Sequence, residues 1–110
     1  MANYSPSGLV KQIETQVNMI LRKTDWTEVE QKGRKTVEEL RQFLSDSKIY
    51  ATDYELSEMR DEQLKNAQAA KKWLEQARQR ILKASEHNVF GPIDVAHLTA
   101  QIDQVKADLK

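Results

Sequence analysis

The stretch DYELSEMRDEQLKNAQAAKKWLEQARQRILKAS, residues 53–85, decides the fold. It contains no Gly or Pro and is rich in Ala, Leu, Glu, Gln, Lys and Arg, the residues that lose least on becoming helical. Thr52 and Glu55 carry the spacing of a capping box, in which a hydroxyl and a carboxylate each satisfy an orphan backbone N–H. The reading therefore predicts one long helix over residues 53–85, about 45–50 Å in length. Leu56, Arg60, Gln63, Ala67, Ala70, Leu74, Ala77, Ile81 and Ala84 recur at steps of three and four, which places them on one coiled-coil-like inner face. That face is apolar only in its second half. Its alanines invite close approach by a neighbour, so bulky core side chains must come from other helices.

Working outward toward the N-terminus, Ser5 and Pro6 form a helix opening, a capping hydroxyl followed by a residue with no N–H to lose. Leu9, Val10, Ile13, Val17, Ile20 and Leu21 then mark an apolar stripe, predicting a first helix over residues 7–23. Asp25 and Glu28 repeat the capping-box spacing and predict a second helix ending near Ser45, with Trp26, Val29, Gly33, Val37, Leu40, Phe43 and Leu44 facing inward. Gly33 on that stripe costs about 1 kcal/mol relative to Ala, so a neighbour must use the space, and Trp73 is the expected one. Residues 45–52 are expected to be a connection carrying Ile49 and Tyr50.

Beyond the long helix, Asn88 suits a left-handed helix terminus, and Gly91 with Pro92 forbids continuation. Val95, Leu98, Ile102, Val105 and Leu109 predict a last helix over residues 93–109, with Val89 and Phe90 stapling it to the core. The expected architecture is all-α, an antiparallel bundle of about four helices in a single domain over residues 1–110. Three short helices do not cover one of thirty-odd residues. The long helix is therefore expected to kink near residues 63–66, to project its acidic first third, or to be covered by a second chain in a homodimer.

The 110 residues include 17 basic and 17 acidic side chains, so no net field draws the protein to nucleic acid or anionic lipid. With no cysteine there are no disulfides, thiolate metal sites or cysteine nucleophile. No apolar run approaches the ~18 residues of a membrane span, and the start lacks a signal-peptide pattern, so the expected location is cytoplasmic. Gly8, Gly33 and Gly91 are isolated and build no phosphate loop, and no nucleophile stands with a base and an orienting group. Asp94 and His97 share helical spacing suited to a metal, but a di-iron bundle needs several such pairs, and His87 is the one other histidine. The expectation is a protein that is not an enzyme, with no cofactor and no metal.

Two surfaces remain. Apolar Ile49, Tyr50, Tyr54, Met59 and Leu64 stand beside the acidic Asp53, Glu55, Glu58, Asp61 and Glu62, a pattern suited to a partner protein or to self-association. The leading expectation is thus an adaptor or regulatory interaction protein. The alternative is a nucleic-acid-associated protein using Lys65, Lys71, Lys72, Arg78, Arg80 and Lys83, with Trp73 as the single stacking aromatic.

Overall fold

The computed structural model describes residues 5–110. Helix α1 spans Pro6–Lys23, a single 3-10 turn spans Trp26–Glu28, and α2 (Gln31–Leu56), α3 (Arg60–Ser85) and α4 (Pro92–Asp108) complete the fold. The start of α1 follows the sequence, with Ser5 Oγ accepting from the Gly8 amide at 3.2 Å and Pro6 in the first turn. The end of α3 does too. Asn88 adopts φ 64°, and the Val89 amide returns to the Ala84 carbonyl, so that Val89 and Phe90 drop into the core before Gly91 and Pro92 open α4.

The middle of the chain differs from the sequence expectation. Residues 45–52 are not a connection but the second half of α2, and the long helix does not begin at residue 53. The hydroxyls of this stretch bond back along the helix: Ser47 Oγ donates to the Phe43 carbonyl at 2.7 Å and Thr52 Oγ1 to the Lys48 carbonyl at 2.8 Å. Thr52 therefore caps nothing. The inward positions Val37, Leu40, Leu44, Ser47 and Ala51 keep their three-and-four stepping without interruption.

The chain instead reverses at residues 57–59, where Ser57 and Met59 are extended with ψ 131° and 135°. Side chains stitch this turn. Ser57 Oγ donates to the Asp53 carbonyl at 2.6 Å and accepts from Asn66 Nδ2 at 3.0 Å, while the Ser57 carbonyl accepts from Gln63 Nε2 at 3.1 Å. The polar Gln63 and Asn66, which suggested a kink in the long helix, are the residues that secure its separation from α2.

Asp25 also has another role. It accepts from the Thr27 amide at 3.1 Å and from Thr27 Oγ1 at 2.6 Å, capping the 3-10 turn, while α2 starts six residues later without a side-chain cap. That turn is anchored by Trp26 Nε1 donating to the Leu21 carbonyl at 3.1 Å and Arg34 Nη2 donating to the Trp26 carbonyl at 2.7 Å.

The length mismatch disappears, because α2 and α3 are matched helices of 26 residues each, about 39 Å long. They form an antiparallel hairpin with the most extensive seam in the bundle, and α1 packs on α2 and α4 as α4 packs on α3 and α1. Glu14 pairs with Lys48 and Glu75 with Lys106, each at 2.8 Å. Taken with the Ser7–Glu55 and Arg78–Asp103 contacts, in which the earlier residue of one helix meets the later residue of the other, they record the antiparallel sense of α1 to α2 and of α3 to α4. Ala67, Ala70, Ala77 and Ala84 line the buried face of α3, and Ile13, Leu40, Leu44, Leu98 and Ile102 supply the bulk. Each such Leu or Ile contributes about 1.5–3 kcal/mol by leaving water.

Gly33 is approached by His87, not by Trp73: a Cβ there would lie 2.8 Å from both His87 Cβ and Val29 Cγ1. Trp73 stacks on Phe43 with centroids 5.4 Å apart and an interplanar angle of 21°.

Candidate functional site

The reversal between α2 and α3 leaves a blunt tip at one end of the hairpin. Leu56, in the last turn of α2, is 74% exposed, and Met59, which opens α3, is 63% exposed. The sequence placed Leu56 on an inner face because it treated residues 53–85 as one helix; with the break at 57–59 that frame does not extend back to it. Leu56 is thus the residue sequence reasoning missed here. Ile49, seven residues earlier on α2, and Leu64 on α3 are also exposed. Tyr50 and Tyr54 are different, half-buried and packed against the core, with Tyr54 Oη donating to the Lys110 carbonyl at 3.1 Å. The five residues first grouped together therefore divide into exposed Ile49, Met59 and Leu64 and two tyrosines packed against the core.

Around Leu56 and Met59 stand Asp53, Glu58, Asp61 and Glu62, all exposed and in no ion pair among the described residues. Asp61 and Glu62 occupy the first turn of α3, where negative charge favours the helix dipole. Glu55 is committed within the fold: its carboxylate accepts from the Ser7 amide and from Ser7 Oγ, both at 2.8 Å, and so caps α1 from another helix. Arg60 donates to the Lys110 carbonyl at 3.0 Å.

The basic residues of α3 do not form one free surface. Arg80 pairs with Glu39 at 3.5 Å and lies over the Phe43 ring, and Arg78 pairs with Asp103 at 3.5 Å. Lys72 sits over the Trp73 ring at 5.3 Å, while Lys65 and Lys83 face solvent and Lys71 is half-buried. Trp73, stacked on Phe43, is thus held between the hairpin helices and is not a free stacking platform.

Among the surface depressions, two bear on the candidate residues. Asp94 and His97 line a groove of about 210 Å³ between α1 and α4 together with Gln16, Met19, Ile20, Lys23 and Leu98. His87 is elsewhere, against Gly33, and no three His, Cys, Asp or Glu side chains among the described residues come together as a metal site. The larger groove, about 570 Å³, runs between the end of α1 and the start of α2 and is lined by Arg22, Arg34 and Arg41 with Asn18, Trp26 and the single acid Glu38. This clustering was not legible in the sequence, because its arginines come from two helices and become neighbours only when α1 folds back on α2. Among the described residues no helix is long and apolar enough to cross a membrane. Comparison with protein-family models, curated proteins and solved structures finds no match.

Proposed function

We propose that this protein is a non-enzymatic interaction module, an adaptor or regulator that docks a partner protein on the tip of the α2–α3 hairpin. The observation that supports the reading is the exposure of Leu56 and Met59 at the end of a stitched two-helix hairpin. A large apolar side chain held in water by rigid backbone contributes about 1.5–3 kcal/mol when a partner covers it, and it loses little entropy on binding because its helix is already formed. The excess of acidic side chains beside the pair, Asp53, Glu58, Asp61 and Glu62 against Arg60, disfavours anionic surfaces and favours a cationic one. Tyr50 and Tyr54 pack against the core, and Ile49 on α2 and Leu64 on α3 add further exposed apolar surface to the hairpin.

The nucleic-acid alternative draws on fewer free charges, since Arg78 and Arg80 are held by Asp103 and Glu39. A photo-crosslinking residue at position 59, compared with one at position 83, which is also exposed, tests the proposal in cells that make the protein. Discrete protein adducts from position 59 and none from 83 are expected. Equal or absent adducts at the two positions would remove the tip as a docking site.

A further inference from the structure

We infer that the partner seated on the hairpin tip is a second copy of this chain, which presents its arginine groove. The inference rests on the reading of the tip as a docking surface and goes beyond it by naming the occupant. The tip is exposed and apolar at Leu56 and Met59, and carries four carboxylates with no ion pair among the described residues. The groove is opposite in charge and offers apolar surface to meet the tip's. It is a depression of about 570 Å³ with the Trp26 ring as an apolar wall and three guanidiniums against one carboxylate.

Arg34 is fixed in the groove by donating from Nη2 to the Trp26 carbonyl at 2.7 Å and from Nε to the Val29 carbonyl at 3.4 Å, and three of its N–H groups remain free. Arg22 and Arg41 are exposed and make no hydrogen bond or ion pair among the described residues. Guanidiniums of this kind suit the carboxylates of Glu58, Asp61 and Glu62, because the planar fork donates to both oxygens of one carboxylate.

The two features cannot meet within one molecule. Arg41 lies 15 residues and Arg34 22 residues before Leu56 on one continuous helix, about 22 and 33 Å along its axis. A tip-to-tip pair would set carboxylates against carboxylates, whereas tip to groove joins opposite charges, so the zero net charge of the chain conceals a self-complementary polarity. The contact is head to tail, and its exposed charge pairs weaken as salt rises.

The test measures the mass of the purified full chain by light scattering from about micromolar to about millimolar concentration, the range of weak protein association. At low salt the wild-type mass should rise with concentration, and at high salt it should fall back toward the monomer. A tip variant, Glu58→Lys with Asp61→Lys, and a groove variant, Arg22→Glu with Arg41→Glu, should each remain monomeric with unchanged helical circular dichroism. An equimolar mixture of the two should associate again, since one supplies an intact tip and the other an intact groove. A wild type that stays monomeric throughout, a variant that still associates, or a mixture that does not recover would overturn the inference. If position 59 still crosslinks to a different protein while the purified chain is monomeric, the tip remains a docking site and only the identity of its occupant falls.

Discussion

Gly33 shows how one residue fixes the spacing of two elements. In an exposed helix, Gly33→Ala would gain about 1 kcal/mol of helix propensity. Here the new methyl would stand 2.8 Å from His87 Cβ, an atom next to the backbone that cannot swing away. Gly33→Ala is therefore expected to lower stability by about 1–3 kcal/mol, read from the shift in the denaturant midpoint. A stabilised variant would mean that the turn after α3 does not press on α2. Glu75 makes a second residue-scale prediction. The hydrogen bond from Lys106 Nζ, aided by Gln79 and the nearby positive charge of Arg78, holds its carboxyl below the ordinary carboxylate range despite the opposing effect of burial. Because the folded value is depressed, the stability it contributes is present above the ordinary carboxylate range and is lost as pH falls through the folded value. Lys106→Met should flatten that part of the curve of melting temperature against pH, modestly, since the pair is partly solvated. An unchanged acid limb would remove the pair from the account.

At the scale of elements, α1 and α4 were legible because their signals are local: Ser5 with Pro6, Asn88 with Gly91 and Pro92, and apolar stripes at helical spacing. The boundary between α2 and α3 was not. Ser45, Ser47 and Thr52 carry the composition of a loop, yet the last two bond backward within the helix. Thr52 and Glu55 match a capping box, but Glu55 caps a helix whose first turn lies 48 residues away, a partner that no local window contains. The true break at 57–59 has neither Gly nor Pro and is held by Asn66 and Gln63 from the following helix. Ile49→Pro separates the two readings, because Ile49 is exposed and its replacement disturbs little packing. In a continuous α2 it should cost about 3 kcal/mol or more in unfolding free energy. In a connection it would be nearly neutral, and that result would restore the single long helix.

For the whole molecule, the relocated break changes what the surface offers. One long helix needed a kink, a projection or a second chain to cover it, whereas a matched hairpin needs none of these and exposes its tip instead. Half of the candidate surface was readable, since Met59, Ile49 and Leu64 stand out as apolar residues among acids. Leu56 and the arginine groove were not, because the first depends on where a helix ends and the second on which helices meet. The central claim is that the chain turns at residues 57–59 and that this turn forms the exposed end of the hairpin. Residue-resolved amide hydrogen exchange across positions 44–66 tests it most directly. The account predicts continuous protection through α2 to residue 56, a rapidly exchanging window over 57–62 that includes the orphan amides opening α3, and protection again from Gln63, whose amide donates to the Met59 carbonyl. Rapid exchange over 45–52 with protection through 57–59 would contradict it.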